Sequence, residues 1–145
     1  MMIKLNSILI YLRALLVFFI IGPVILLLTL VYTKLIYIIV IPWCRFMIFV
    51  FGCKIHINGE LPKNESFVIM ANHQSFLDVF AVPIALKGKF SAVAASKNFK
   101  IPVYKTFLKK LKVVGIDRAN LENAIKGITE AEKVLQSGYH IVILP

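Results

Sequence analysis

The 145-residue sequence has few charged residues, and acidic ones are especially rare. Asp and Glu number seven against seventeen Lys and Arg, and charged residues make up 17% of the chain against 59% apolar ones. Disordered chains and nucleic-acid-binding tails lack the large aliphatic and aromatic residues that fill this sequence, so the composition excludes those classes. The net charge of +10 instead indicates a basic surface of the kind that faces phosphate groups or anionic lipid.

Acidic residues are absent from the first 57 positions, where five basic residues carry all the charge. The first acid is Glu60, and all seven acids fall between it and Glu132. The amino-terminal third therefore has a composition of its own.

Cysteine is also scarce. Cys44 and Cys53 are the only two, both lie among large apolar residues, and neither belongs to a C-x-x-C pair or a cluster with histidine. The pattern excludes the disulfide framework of a small secreted domain and argues against a zinc site. We interpret both as small apolar side chains.

A run of twenty residues without charge, Ala14–Thr33, is the longest apolar feature of the sequence. As a helix it would measure about 30 Å, the thickness of the hydrocarbon core of a bilayer. A second apolar stretch, Leu35–Cys53, is interrupted by Pro42 and Arg45, which favours a helix that lies in the membrane interface or re-enters it. We therefore predict a membrane anchor at residues 1–53 and a separate domain at residues 54–145.

A cleaved signal peptide is the competing interpretation of the first run, because Lys4 and Arg13 precede it. The run is longer than the apolar region of a signal peptide, and no A-x-A-like cleavage site closes it, which favours a retained anchor. The Gly22-Pro23 pair predicts a bend. A two-helix hairpin is thus an alternative to a single spanning helix.

Beyond residue 54, short apolar runs alternate with a longer periodic one. The periodic segment, Leu121–Gln136, has apolar residues at helical spacing, with Asn120 as a cap and Gly138 near its end. Alternation of this kind predicts an α/β domain with a partly parallel sheet flanked by helices. The short runs predict strands at Lys54–Asn58, Phe67–Ala71, Ser91–Ala95, Lys112–Ile116 and Tyr139–Leu144.

The residues with catalytic potential directly follow the strand at 67–71. On one helix His73 and Asp78 would lie about 140° apart and would not share a face. Ser75 and Asp78 form an S-x-x-D start signal, which predicts a helix from Phe76 and places His73 in the preceding loop. From there Asp78 can accept the proton of one ring nitrogen, leaving the other as a general base. Alternatively, Asp78 only completes the capping box and His73 is a turn residue.

Three segments of the sequence resemble motifs of the 1-acyl-sn-glycerol-3-phosphate acyltransferase (lysophosphatidic acid acyltransferase) family, and they occur along the chain in the same order as in that family. Residues 72–78 (N-H-Q-S-F-L-D) resemble its first motif, and residues 114–118 (V-G-I-D-R) resemble a strand that ends in I-D-R. Between them, residues 94–102 contain A-A-S-K and then I-P, as in the segment where a lysine lies near the substrate phosphate. The family's third motif, F-P-E-G-T-R, would begin where this sequence has Leu144-Pro145, so the resemblance implies an acyltransferase domain incomplete at its carboxyl end.

The resemblance implies transfer of a fatty acyl group from acyl-CoA or acyl-carrier protein to the 2-hydroxyl of lysophosphatidic acid, which gives phosphatidic acid in phospholipid biosynthesis. By position, His73 would be the general base and Asp78 would orient it. Arg118, Lys97 and Asn72 would bind the substrate. The resemblance implies no metal, no cofactor and no covalent acyl-enzyme. The expected partners are membrane lipid, lysophosphatidic acid and the acyl donor, with no nucleic acid.

The charge distribution agrees with anionic substrates. Residues 87–118 contain nine basic residues and one acid, Asp117. Such a stretch can recruit a phosphate monoester, coenzyme A, an acidic carrier protein or anionic lipid, whereas a solvated face is the simpler interpretation of Lys109, Lys110 and Lys112.

We expect the cytoplasmic (inner) membrane as the location, with the catalytic domain facing the cytoplasm. Two alternatives for the chain's role stay open: an inactive lipid-binding remnant, or a related acyltransferase with a lysophospholipid, glycerol phosphate or lipid A precursor as acceptor.

Overall fold

The computed structural model describes residues 2–62, 65–86 and 88–144. The chain divides into two compact units. The helical unit comprises residues 1–59 and 75–85, and the α/β unit comprises residues 60–74 and 86–145.

The helical unit contains two long apolar helices and one short one. Helix α1 covers Met2–Val31, α2 covers Ile36–Val50 after a short 3₁₀ turn, and α3 covers Asp78–Leu86. By length and composition, the stretches Asn6–Val31 and Thr33–Val50 can each cross a membrane. Residues 14–31 of the predicted apolar helix lie within α1, which continues through Pro23 and ends two residues earlier than predicted.

Helices α1 and α2 pack against each other as an antiparallel hairpin. The Arg13 guanidinium, in the first half of α1, donates a hydrogen bond to the carbonyl of Val50 at the end of α2. In the middle of the pair, a Cβ at Gly22 would lie 3.9 Å from the ring of Trp43. The hydrogen bond satisfies one of the carbonyls that a helix end leaves without a partner. The structure therefore shows the two-helix arrangement that the sequence left open.

Helix α3 is held on the hairpin by aromatic packing within the helical unit. Phe80 of α3 is 3% exposed. Its ring centroid lies 6.3 Å from the rings of Phe18 and Phe51 and 5.5 Å from that of Phe76. Aromatic pairs of this geometry contribute roughly 0.5–1.5 kcal/mol each beyond their burial. The helix that begins at Asp78 is thereby fixed to the apolar hairpin.

The α/β unit is built on a parallel sheet. In chain order the elements are β1 (Val68–Met70), β2 (Phe90–Ala95), a 3₁₀ turn (Ser96–Lys100), α4 (Pro102–Lys110), β3 (Val114–Ile116), α5 (Leu121–Gln136) and β4 (His140–Ile143). The described strands pair in the order β1-β4-β2-β3, and the three pairs are all parallel. Parallel neighbours require crossover connections, which explains the helices between the strands.

Helix α5 packs directly on β3. A Cβ at Gly127 would come within 2.7 Å of Ile116 Cγ1, so only glycine lets the helix approach this closely. The helix has the predicted bounds, and the Asn120 side chain accepts the backbone N–H of Asn123 at 3.0 Å, as predicted for its cap. The chain leaves the helix through Gly138, whose φ of +85° favours glycine.

Four of the five predicted strands are present, and the α/β class is confirmed. Three of them are trimmed at one or both ends, whereas β2 begins one residue earlier than predicted, at Phe90. The strand predicted at Lys54–Asn58 is wrong, because residues 53–58 belong to no strand or helix. Ile57 is 45% exposed, so the period-two alternation in this segment does not mark a buried face.

Candidate active site

The residues predicted to bind substrate lie together at one edge of the α/β unit. Asn72 and His73 follow the carboxyl end of β1, Lys97 follows β2 and Arg118 follows β3. Because the strands run parallel, these four positions share the edge at which ligands bind in open α/β sheets. All four side chains are exposed. We call this set the carboxyl-edge residues.

The strand order sets the width of this edge. Neighbouring strands lie about 4.8 Å apart, so the end of β2 is roughly 10 Å from the end of β1, and the end of β3 is roughly 14 Å from it. Lys97 therefore starts closer to the His73 loop than Arg118 does. The edge is wide enough for a ligand whose reactive group and anionic group bind at different points.

The loop that carries Arg118 is shaped by its neighbour Asp117. The Asp117 side chain accepts the backbone N–H of Ala119 at 3.1 Å, and its carbonyl accepts the N–H of Asn120 at 3.3 Å. Such an Asx turn fixes the backbone between β3 and α5. Sequence reasoning gave Asp117 no role, although an Asp at the end of a strand, two residues before the N–H that donates to its side chain, is the usual signal of this turn.

The turn that carries Lys97 is fixed to the neighbouring strand. The ring of Phe99 packs over Gly115 of β3, where a Cβ would come within 3.0 Å of the ring. The glycine of the V-G-I-D-R segment thus makes room for the aromatic ring that holds the Lys97 turn. This contact joins residues 16 positions apart, so it could not be predicted from the pattern of a single segment.

The first motif forms the capping box that its S-x-x-D spacing predicts. The Ser75 N–H donates to Asp78 Oδ2 at 3.0 Å, and Ser75 Oγ accepts the N–H of Leu77 at 3.1 Å. The helix itself begins at Asp78 rather than at Phe76, because residues 76 and 77 form a preceding turn. A carboxylate has two oxygens, so this cap leaves Asp78 with further capacity to accept a proton donor.

His73 lies in the loop between β1 and α3, as predicted. It belongs to the α/β unit, whereas Asp78 belongs to the helical unit. The pairing of the two side chains stays a prediction.

Lys112 is exposed, as expected of a residue on a solvated face, but it also has a structural role. Its Nζ lies 4.1 Å from the centroid of the Tyr139 ring and 3.4 Å from Ser137 Oγ. Its backbone adopts a φ of +56°, and its carbonyl accepts the hydroxyl of the fully buried Ser91. These contacts hold it away from the carboxyl edge.

A groove of about 620 Å³ lies along β3 and α5, with Lys109, Lys112 and Lys133 among its lining residues. None of the carboxyl-edge residues lines it. Elsewhere in the described ranges, no three His, Cys, Asp or Glu side chains are grouped so that they could hold a metal ion.

The match to a known family agrees with the three motifs. Residues 52–145 match the family described as Acyltransferase. The chain belongs to the acyltransferase family. The resemblance inferred from its motifs is thereby confirmed, and the matched range contains all the carboxyl-edge residues.

Two curated acyltransferases resemble the chain in part. A 1-acyl-sn-glycerol-3-phosphate acyltransferase of Chlamydomonas reinhardtii is 27% identical over 84 residues, which are 58% of this chain and 25% of that protein. An uncharacterized acyltransferase of Schizosaccharomyces pombe is 31% identical over 83 residues, which are 57% of this chain and 30% of that protein. The chain thus spans less than a third of the length of either relative.

The fold resembles that of a solved acyltransferase. The crystal structure of the 1-acyl-sn-glycerophosphate acyltransferase PlsC from Thermotoga maritima superposes with a TM-score of 0.76 at 18% identity. The superposition covers 98% of this chain and 61% of that one. The chain, including its amino-terminal apolar helices, therefore has the same fold as this solved structure.

Proposed function

We propose that this acyltransferase moves a fatty acyl group from acyl-CoA or acyl-carrier protein to the 2-hydroxyl of 1-acyl-glycerol-3-phosphate, which yields phosphatidic acid. The observation that carries the proposal is the placement of a histidine, a lysine and an arginine after three parallel strands at one edge. A base and two cations at this edge match an acceptor that has a hydroxyl at one point and a phosphate at another.

In the proposed reaction, one ring nitrogen of His73 takes the proton of the substrate hydroxyl. The hydroxyl oxygen then forms a bond to the thioester carbonyl carbon of the donor, and the carbon–sulfur bond breaks as the tetrahedral intermediate collapses. The leaving thiolate takes the proton back from the imidazolium. A positioned general base of this kind contributes about 10²- to 10⁴-fold to the rate.

Asp78 is the proposed orienting group. By accepting the proton of the second ring nitrogen, it would fix the tautomer of His73 and stabilise the charged imidazolium. The capping box supports this role, because it holds the carboxylate of Asp78 in one orientation at the start of α3.

Arg118 and Lys97 are the proposed phosphate ligands, with Asn72 as a further contact to substrate. A guanidinium can bind two phosphate oxygens at once, and charge-assisted hydrogen bonds are about twice as strong as neutral ones. The turn formed by Asp117 and the packing of Phe99 on Gly115 support this role, because they fix the backbone on which each cation stands. With an activated donor and a protein base, the proposed chemistry draws on no further cofactor.

We propose that the hairpin of α1 and α2 holds the enzyme in the cytoplasmic (inner) membrane, with the α/β unit facing the cytoplasm, where acyl donors are found. Only 11% of an 18-residue apolar segment of α1 is buried, which is unlike the core helix of a water-soluble protein. Among its large exposed apolar side chains, Leu16 and Phe19 are 62% and 69% exposed. Lipid is the surrounding that such a surface favours.

The test is acyl transfer by membranes that contain the chain, measured with lysophosphatidic acid, glycerol 3-phosphate and a neutral lysophospholipid as acceptors. We expect transfer to lysophosphatidic acid, and we expect His73→Ala to lower it by about 10²- to 10⁴-fold with little change in KM. His56→Ala, which removes another exposed histidine, is the matched control and should leave the rate unchanged. Full activity of His73→Ala would remove this residue from the mechanism, and transfer to a different acceptor would replace the proposed substrate.

A further inference from the structure

The amino-terminal end of α4 exposes a group of apolar side chains. Ile101, Val103 and Tyr104 are 59%, 51% and 38% exposed, although they are consecutive or nearly so in the chain. None of them lines the groove along β3 and α5. Clustered apolar side chains on a protein surface mark a place where a partner or a membrane binds.

Basic residues surround this group. Lys97 and Lys100 precede it and Lys105 follows it, and all three are exposed. No acid occurs between Asp78 and Asp117 in the sequence, so this cation cluster has no acidic neighbour along the chain. We call residues 97–105 the α4 tip.

The α4 tip is fixed to the α/β unit rather than loosely attached. Leu108 and Leu111, at the other end of α4, are 5% and 6% exposed. The Lys105 N–H donates to the carbonyl of Ile101 at 2.7 Å, and the Phe99 ring packs over Gly115. The apolar side chains therefore stay outward because the backbone beneath them is held in place.

The composition of the α4 tip fits one kind of partner best. Aliphatic side chains, a tyrosine and lysines together are typical of protein segments that lie in the interface of an anionic bilayer, where lysine amines reach the headgroups. Protein–protein interfaces, in contrast, are depleted in lysine. A bilayer is also close at hand if the hairpin is embedded as proposed, since a tethered unit meets the surface at a high effective concentration.

We propose that the α4 tip is a second membrane contact, which inserts Ile101, Val103 and Tyr104 between the headgroups of an anionic bilayer while its lysines bind lipid phosphates. This inference rests on the membrane anchoring proposed above. Lys97 belongs both to the tip and to the carboxyl edge, so a tip bound to the bilayer would hold this edge at the depth of the lipid headgroups. A lipid acceptor could then reach the site directly from the membrane.

The experiment uses tryptophan fluorescence of the full chain in phosphatidylcholine vesicles that contain phosphatidylglycerol and brominated acyl chains. Trp43 in α2 is the only natural tryptophan and reports on the hairpin. A Trp43→Phe/Tyr104→Trp variant reports on the tip, and a Trp43→Phe/Gln136→Trp variant, at the exposed far end of α5, is the matched control. We expect a blue-shifted, bromine-quenched emission from position 104 and an unquenched emission from position 136.

The outcomes separate the two proposals. Quenching at positions 43 and 104 but not at 136 supports both. Quenching at position 43 alone overturns the second contact and leaves the hairpin anchor in place, whereas no quenching at either position overturns both. An emission change at position 104 that needs added acyl-carrier protein, and not lipid, would identify the tip as a protein-docking site and would also overturn the inference.

Charge provides an independent test. Added to the Trp43→Phe/Tyr104→Trp variant, Lys100→Gln/Lys105→Gln should raise the phosphatidylglycerol content needed for half of the emission change, since each lysine near an anionic surface strengthens binding by about fivefold. Lys126→Gln/Lys133→Gln on α5 keeps the same net charge change and should leave that content unaltered. Equal effects of the two pairs would show a general charge effect and would contradict a contact through the tip.

Discussion

The two units of this acyltransferase differ in where they leave apolar residues exposed. In the helical unit the exposed apolar side chains lie along α1, where Leu16 and Phe19 are more than half exposed. In the α/β unit Val114 and Val142 of the sheet are only 1% and 2% exposed, whereas Met70 on β1 is 72% exposed. Hydropathy shows how much apolar surface a segment carries, and the fold shows which part of that surface is covered. The predictions that follow test this contrast, first within the helical unit and then within the α/β unit.

The largest expected effect separates covered from bare aromatic residues in the helical unit. Phe80→Ala should lower the stability of the unit by about 3–5 kcal/mol, because it opens a cavity among the rings of Phe18, Phe51 and Phe76. Phe19→Ala removes a side chain that is 69% exposed and should change stability little in detergent. Thermal unfolding in detergent micelles, followed by circular dichroism, measures both. Similar losses for the two variants would contradict the contrast.

A smaller effect is expected for substrate binding at the carboxyl edge. Arg118→Ala would remove the proposed charge-assisted hydrogen bond to the phosphate, worth about 1.5–3 kcal/mol, so KM for lysophosphatidic acid should rise by roughly 10- to 100-fold. A neutral lysophospholipid should be affected much less, because it has no phosphate monoester to bind. Equal changes for the two acceptors would exclude Arg118 as the phosphate ligand.

The close packing of α5 on β3 offers the next test. Gly127→Ala adds a Cβ 2.7 Å from Ile116 Cγ1 and 3.1 Å from the carbonyl of Gly115. Overpacking costs about 1–3 kcal/mol and outweighs the gain of up to about 1 kcal/mol in helix propensity. Thr129→Ala, at an exposed position of the same helix, is the control and should be close to neutral. A Gly127→Ala protein as stable as the wild type would show that the strand can move away.

The smallest effect concerns the cap at the start of α3. Ser75→Ala removes the oxygen that accepts the Leu77 N–H and should cost about 0.5–2 kcal/mol. Ser75→Thr keeps that oxygen and should restore most of the loss. Hydrogen exchange of the amides at the start of α3 is the readout, and unchanged protection in the alanine variant would show that the cap does not hold this turn.

Local patterns predicted much of the fold. The bounds of α5 and the positions of β1 to β4 follow from periodicity and caps within single segments. Where the pattern was weak or ambiguous, prediction failed: the alternation at Lys54–Asn58 marks no strand, and a turn delays the start of α3 to Asp78. On α5, Leu121, Ile125 and Ile128 share the predicted apolar face but are 78%, 55% and 61% exposed. Periodicity shows that a helix has an apolar face, but it does not show whether another element packs on that face.

The candidate site was predictable for a different reason. Asn72, Lys97 and Arg118 each follow a predicted strand, and parallel strands necessarily bring such positions to one edge. What was missed depends on contacts distant in sequence or on loop geometry. The packing of Phe99 on Gly115 and the turn made by Asp117 decide how the two cations are held, and neither is visible as a pattern within one segment.

The strand order also determines when the sheet can form during synthesis of the chain. Among the described strands, β1 is hydrogen-bonded only to β4, so Val68 pairs with Ile141, far along the chain. At about 5–20 residues per second, the ribosome makes that partner roughly 4–15 seconds after β1. The hairpin emerges well before either strand is paired, so it can enter the lipid while the loop of His73 is still unfolded. With the anchoring proposed above, the nascent chain could therefore meet the membrane before its sheet is complete.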